Sequence, residues 1–357
     1  MDRKWFMIKL RWLRGKILKV HTGGRDLDNA DKPFRWGILG IGNIASSFAK
    51  GIQAAPGAQL VAAASTSEER ARAFQKEFHV PRAYASYAEL IQDPQVDAIY
   101  IATRHPQHYQ NALDCLRAGK PILVEKPFTL NAVQARHIAE EARQQSVFCM
   151  EAMWTRFLPS MDYVRQVLAN GDIGEPQLLH ADFCFQSKFD AQSRLYDPHK
   201  GGGSLLDVGV YPISLAHMTF GPPVEVTGVA AIGATGVDEQ ATIALRHAKG
   251  QCSSLMCGVR AASQFEAHIT GTKGRLRILK PWAFSTSVEL HLSGKDPQIR
   301  ELPFLGNGYA HEALEVMNCV RSGKLESPLM TLADTVSIME TMDTLRKLWH
   351  IAYPGEE

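Results

Sequence analysis

The sequence predicts an α/β protein in two parts: an N-terminal doubly wound parallel sheet, then a C-terminal α+β domain on an open, largely antiparallel sheet. Three observations predict it. Between Phe34 and Glu151 short apolar runs alternate with helical patterns, the rhythm of buried parallel strands joined by right-handed crossovers. The first run leads into Gly40-x-Gly42-x-x-Ala45, a tight turn that opens a helix. After Gln177 strand patterns mostly follow one another without helices between them, which favours antiparallel pairing.

In chain order, strand patterns cover Arg35–Leu39, Gln59–Ser65, Ala98–Ile101, Pro121–Val124 and Val147–Glu151. Helical patterns between them cover Ile44–Ala55, Ser67–Phe78, His108–Ala118 and Asn131–Gln145. A helix over Pro159–Asn170 precedes an alternating strand, Gln177–Phe185, a glycine-rich turn and another helix. Strands follow at Val224–Ala231, Ala241–Leu245, Gln251–Val259, Phe265–Thr270, Arg275–Leu279 and Ser287–Leu292. Helices over Tyr309–Ser322 and Leu332–Trp349 close the chain, the second with Thr331-x-x-Asp334 as a capping box. The expected division is a basic extension and linker over 1–33, a first domain over 34–152, and a second domain over 153–357.

A chain of 357 residues can bury two cores. Its 45% apolar and 21% charged content is that of a soluble globular protein. Residues 1–25 hold eight Lys/Arg against one Asp, so +7 sits there; with +2 for the whole chain, the remainder carries −5. That mildly acidic body offers no nucleic-acid footprint. Phe6, Leu10, Leu13 and Ile17 fall at helical spacing among basic residues. This head is read as a disordered extension, or residues upstream of the natural start, with a membrane-surface helix as the alternative. Arg25–Pro33 reads as a linker. Six scattered cysteines lack metal-binding spacing, so buried thiols in a reducing, cytoplasmic setting are expected and no metal. No apolar run reaches the roughly 18 to 20 residues that span a bilayer.

Gly40-x-Gly42-x-x-Ala45 carries a dinucleotide fingerprint of Rossmann type in the right context, after a strand and before a helix. Gly40 allows the turn, Gly42 lets the backbone approach a pyrophosphate, and Ala45 permits close helix–strand packing. The second strand ends in Ser65-Thr66-Ser67 rather than a carboxylate, with Arg70 beyond. Two hydroxyls and a guanidinium suit a ribose 2′-phosphate, so NADP is expected, with NAD as the alternative.

Lys126 follows a strand end, where open α/β sheets bind ligands, and Pro127 fixes its turn, with a cis bond as one option. Asp207 and Tyr211 stand four apart behind Gly201-Gly202-Gly203, which on a helix puts them on one face. Pro212 makes that segment irregular at Tyr211. The functional reading is that Tyr211 exchanges a proton with a substrate hydroxyl, Lys126 stabilises the phenolate and Asp207 orients the pair. A phenol with its ordinary pKa near 10 needs such a cation to act as a base at neutral pH. The plainer reading is a surface lysine, a Ser204-x-x-Asp207 capping box and a packing tyrosine.

These residues resemble the glucose–fructose oxidoreductase / inositol dehydrogenase family from Phe34 nearly to the end. The carriers are Gly37-Ile-Leu-Gly40-Ile-Gly42, Glu125-Lys126-Pro127 and Gly201-Gly-Gly-Ser-Leu-Leu-Asp207-Val-Gly-Val-Tyr211. Within it, His105-Pro106-Gln107-His108, Glu151-Ala-Met-Trp154-Thr-Arg156-Phe157, Gly236-Val-Asp238 and Gly271-Thr-Lys-Gly274 are similar to the dimeric dihydrodiol dehydrogenase / NADP-dependent D-xylose dehydrogenase branch. The resemblance implies a catalytic group of Lys126, Asp207 and Tyr211, with Tyr211 where many members carry His. It implies a pocket lined by Trp154, Phe157 and Tyr211, an aldose or alicyclic vicinal diol as substrate, and a homodimer formed through the exposed face of the second sheet. Expected cofactor contacts are Gly40, Gly42, Asn43, Ile44, Ser65, Thr66 and Arg70, then Thr103, His105, His108, Glu125, Lys126, Trp154 and Arg156. The branch places an arginine where this chain has Thr66. A cofactor-sensing protein without turnover, and a carbonyl-sugar reductase working in the reverse direction, are the rival functions.

Overall fold

A computed structural model describes residues 32–356, so the helical reading of the basic head and most of the linker lie outside the described residues. The first part runs β1 (Phe34–Leu39), α1 (Asn43–Ala54), β2 (Ala58–Ala64), α2 (Glu68–Phe78), β3 (Arg82–Tyr84), α3 (Tyr87–Ile91), β4 (Ala98–Ile101), α4 (His105–Arg117), β5 (Ile122–Glu125), α5 (Ala132–Gln145) and β6 (Cys149–Ala152). The sheet is wholly parallel in the order β3-β2-β1-β4-β5-β6, so the strand order reverses between β1 and β4. That switch point opens a crevice at the carboxyl ends of the strands. Every residue of β4 and β5 is buried, which is why Ala98–Ile101 and Ile122–Val124 read as unbroken apolar runs.

Two short elements, β3 and α3, escape the pattern reading. The three residues of β3 are only half-buried and carry no apolar run; Arg82 Nε (2.7 Å) and Tyr84 Oη (3.0 Å) tie the strand to Asp93 instead. Helix α4 begins at His105 rather than His108, because Pro106 in the first turn gives up an N–H that has no helical partner there.

The second part begins with a 3₁₀ turn over Trp154–Phe157, then α6 (Pro159–Asn170) and β7 (Pro176–Cys184). A long loop and a single π turn, Leu205–Gly209, lead into α7 (Val210–Phe220). There follow β8 (Pro223–Ile232), β9 (Asp238–His247), β10 (Cys252–Gly258), β11 (Ala267–Gly271), β12 (Gly274–Ile278), β13 (Ser287–Leu292) and β14 (Gln298–Glu301), then α8 (Tyr309–Arg321) and α9 (Leu332–Leu348). The eight strands pair in the order β14-β13-β12-β11-β7-β10-β9-β8, all antiparallel except β7 with β10. Strand β14 is exposed throughout, so it lacks the alternation that marks a strand in sequence.

Helices α7 and α9 cover one face of this sheet, while α8 and α9 return to pack on α1 and α5 of the first part. The α1–α8 contact is close enough that a Cβ on Gly51 would lie 2.7 Å from Tyr309 Cβ. The Thr331/Asp334 capping box forms as expected. Among the described residues no helix is long and apolar enough to cross a membrane.

Candidate active site

The glycine turn after β1 is dictated by its neighbour. Gly40 has φ +94°, and a Cβ there would stand 2.7 Å from Thr103 Cγ2 and 2.9 Å from Thr103 N at the end of β4. Gly42 faces open space: a Cβ would meet nothing within 4 Å. Ser67 caps α2 and Asn131 caps α5, but no side chain caps α1 and no acidic residue lies in its first turn. The unpaired N–H groups near Asn43 and Ile44 thus face an open crevice, which suits a pyrophosphate. At the end of β2, Ser65 is buried and accepts from Ser67 N (3.2 Å), while Thr66 is exposed. The Arg70 guanidinium reaches back to donate to Ile41 O in the glycine turn.

The loop after β4 braces the crevice. Buried His108 sets Nδ1 2.9 Å from Pro127 O and Nε2 3.0 Å from Thr103 O, joining two loops that flank the crevice. Asn111 Nδ2 donates to Thr103 Oγ1 (3.1 Å). Burial, then the neighbouring His108, pushes the His105 pKa down to about 3. A neutral His105 facing Gly201 O at 3.1 Å must carry its proton on Nδ1. This hydrogen bond spans the two parts of the chain.

At the end of β5, Tyr100 donates to the buried Glu125 carboxylate, which also accepts from Lys126 N (3.0 Å). The Lys126–Pro127 bond is cis. Lys126 Nζ donates to Asp207 O (2.7 Å), lies 3.6 Å from Asp207 Oδ1, and sits 5.0 Å from the centre of the Tyr211 ring. Asp207 Oδ1 also accepts from Arg194 Nη1 (2.6 Å). Trp154 Nε1 donates to the Tyr211 hydroxyl (3.1 Å), and its indole stacks on Tyr309 with ring centres 4.4 Å apart. Phe183 lies against Tyr211 at 5.1 Å, and Phe284 against the outer side of Trp154 at 5.9 Å.

The electrostatics follow from burial and these cations. Burial alone would raise the Asp207 carboxyl, but Lys126 and Arg194 outweigh it and hold the pKa at about 2. Burial would lower the Lys126 ammonium; Tyr211, Asp207 and Glu125 more than offset that, so Lys126 stays charged. For Tyr211 burial wins over Lys126, and the phenol sits above its ordinary value. Lys126 does pull the phenol down, as expected, but the pull is smaller than the effect of burial.

The segment carrying Asp207 and Tyr211 is held from behind. Asp238 accepts from Ser204 Oγ and Leu205 N, both at 2.6 Å, so Ser204 serves Asp238 rather than capping a helix. Tyr353 donates to Gly202 O (2.5 Å), and Glu356 ties the same tail to Arg346 and to Asn131 on the dinucleotide side. The irregularity expected at Tyr211 falls one turn earlier: Tyr211 lies in α7, and the preceding π turn makes room for the Pro212 ring.

The structure thus gathers Lys126, Asp207, Tyr211, Trp154, Glu125 and His105. Two expected residues sit elsewhere. Arg156 is 3% exposed and spends its donors on Ser214 Oγ and O, Leu329 O and Asp334, stapling α7 to the turn before α9. A buried guanidinium must satisfy its N–H groups, and here protein groups take four of the five. Phe157 is wholly buried in the core and supports the Trp154 turn. Arg194, Tyr309 and Phe284 were not foreseen: Arg194 comes from an irregular loop and the others from far along the chain, so no local pattern marks them. Among the described residues no group of three or more His, Cys, Asp or Glu is placed to hold a metal.

A doubly wound sheet with an open, uncapped helix start at its switch point, facing a lysine–aspartate–tyrosine cluster, defines a dinucleotide-dependent oxidoreductase. Residues 34–153 match the oxidoreductase family with an NAD-binding Rossmann fold, and residues 161–277 match the GFO/IDH/MocA C-terminal domain. The chain belongs to that GFO/IDH/MocA family of oxidoreductases. It is 37% identical over 335 residues to trans-1,2-dihydrobenzene-1,2-diol dehydrogenase of Mus musculus and 34% identical over 332 residues to that of Homo sapiens, each alignment covering 90% of this chain and 99% of the relative. Among solved structures, KijD10, a 3-ketoreductase from Actinomadura kijaniata in complex with NADP and TDP-benzene, superimposes with a TM-score of 0.77 at 26% identity over 88% of this chain and 98% of that one. An aldose-aldose oxidoreductase from Caulobacter crescentus shares the fold, with a TM-score of 0.80 at 19% identity over 89% of this chain and 98% of that one.

Gly40→Val is expected to weaken NADPH binding by about tenfold or more, since both φ and the Thr103 contact exclude a branched side chain. Fluorescence titration of the folded variant checks this; unchanged affinity would show that the turn is not part of the cofactor site.

Proposed function

We propose that this enzyme is an NADP-dependent dehydrogenase of sugars or vicinal diols, with Tyr211 as the acid–base residue, Lys126 as its charged neighbour and Asp207 as the anchor of both. The observation that carries the proposal is the convergence of Lys126 with the distant segment that bears both Asp207 and Tyr211, onto one spot beside Trp154. When bound, the nicotinamide ring supplies the carbon that gives or takes the hydride. Gly42, Asn43 and Ile44 hold the pyrophosphate, and Ser65, Thr66 and Arg70 meet the ribose 2′-phosphate. No carboxylate stands at the tip of β2 to repel it. The NADP in the ketoreductase complex supports the same choice.

Tyr211 holds its proton at neutral pH because burial outweighs Lys126, so it stands ready as the acid for carbonyl reduction. In the oxidative direction it must first lose that proton, and the Trp154 N–H and the Lys126 charge stabilise the phenolate that results. The aromatic wall of Trp154, Tyr309 and Phe183 covers the apolar face of a ring-shaped substrate and excludes water. The curated relatives, named as diol dehydrogenases, support a substrate with adjacent hydroxyls.

The proposed division is the extension over 1–33, the dinucleotide domain over 34–152 and the substrate and dimerisation domain over 153–357. The sheet face opposite α7 and α9 exposes Leu178, Val229 and Met256, an apolar surface suited to a second copy in a homodimer. Six free cysteines, five of them buried, support a reducing compartment such as the cytoplasm.

Tyr211→Phe is expected to keep NADPH affinity and melting temperature while turnover falls by about a hundred- to ten-thousand-fold; full activity would remove Tyr211 from its role. A phenol titrating above its ordinary value also sets the pH dependence. Log kcat/KM for oxidation should rise with a slope near one across neutral pH, while reduction stays level, as measured in the two directions. Val229→Glu combined with Met256→Glu should convert the dimer to a monomer by light scattering; a wild-type monomer would overturn the assembly.

A further inference from the structure

We propose that Arg194 is the specificity residue of this site, donating to the oxygen on the carbon next to the reacting one. The inference rests on Tyr211 as the acid–base residue and adds a contact that selects among its substrates.

The first support is placement. Arg194 Nη1 meets Asp207 Oδ1 at 2.6 Å, the same oxygen that lies 3.6 Å from Lys126 Nζ. The guanidinium therefore sits on the proposed catalytic group. The second is rigidity. The loop that bears Arg194 is sewn to the glycine segment by Gly203 N to Leu195 O (2.9 Å) and Gly202 N to Asp197 O (3.0 Å), and the adjoining Tyr196 is wholly buried. Arg194 is aimed by its backbone, not merely drawn to a carboxylate from a mobile surface.

The third support is unused capacity. A guanidinium carries five N–H donors in a planar fork. Among the described residues Arg194 gives one contact, to Asp207, and its side chain remains 58% exposed. Arg156 shows the opposite condition in the same protein, buried with its fork engaged by Ser214, Leu329 and Asp334. The exposed guanidinium thus brings free donors to the Asp207 end of a site whose other named neighbours, Trp154 and Phe183, are aromatic. A molecule that sets its carbinol on Tyr211 meets Trp154 and Phe183 with its apolar face and Arg194 with its next oxygen. Vicinal diols, aldoses and α-hydroxycarbonyl compounds satisfy that donor; a simple secondary alcohol leaves it unpaired.

The test compares trans-1,2-cyclohexanediol with cyclohexanol, using NADP and the wild type, Arg194→Gln, Arg194→Lys and Tyr211→Phe. The wild type should favour the diol by about ten- to a hundredfold in kcat/KM. In Arg194→Gln both substrates lose what the charge beside Asp207 supplies, but kcat/KM for the diol should fall about tenfold further than for cyclohexanol, mostly through KM. Arg194→Lys, which keeps the charge beside Asp207, should recover only part of the diol preference. Wild-type turnover that vanishes in Tyr211→Phe upholds the underlying reading independently. With that in place, an equal loss on both substrates in Arg194→Gln, or no loss on either, overturns the role of Arg194 alone. No wild-type turnover of either compound, in the presence of bound NADP, overturns both.

Discussion

One buried carboxylate organises this molecule. Asp207 is 6% exposed, and a lone carboxylate so placed would take up a proton rather than remain charged. It stays ionised because cations arrive from two directions: Lys126 from the end of β5 and Arg194 from the loop after β7. Each comes from a different part of the fold, so the ion cluster forms only when the two sheets take their mutual position. The His105 bond to Gly201 O and the packing of α8 on α1 serve the same end. Electrostatics and architecture thereby solve one problem together.

The same cluster accounts for the proton balance at Tyr211. Lys126 is shared: its ammonium donates to the Asp207 carbonyl and stands over the phenol ring, 5.0 Å from its centre. Its pull on the phenol is thus partial, and burial prevails. A site arranged this way keeps a neutral acid beside a fixed charge, two states within one small volume separated by environment alone.

Most of the fold was legible in the sequence because burial writes directly into composition. Ala98–Ile101 and Ser287–Leu292 form strands with the bounds their apolar patterns suggest. Arg82–Tyr84 and Gln298–Glu301 pair through backbone bonds with little burial, so their side chains carry no trace of it. The candidate site divides similarly. Gly40, Gly42 and Lys126 announce themselves through backbone demands at strand ends. Arg194, Tyr309 and Phe284 reach the site through tertiary packing, which no local spacing encodes. Arg156 erred in the other direction: it lies beside Trp154 in sequence, yet the turn sends its guanidinium to Ser214 and Asp334.

The tie from Tyr353 to Gly202 gives the protein a sense of order in its making. The groups that would grip a dinucleotide all leave the ribosome early, within the first sheet. The segment bearing Asp207 and Tyr211 follows, but its last restraint arrives about 150 residues later in synthesis, when Tyr353 and Glu356 emerge. The dinucleotide side is therefore complete in sequence well before the segment bearing Asp207 and Tyr211 gains its last restraint. A nick that frees residues 351–356 would cut both ties at once, the one to Gly202 behind the candidate site and the one to Asn131 on the dinucleotide side.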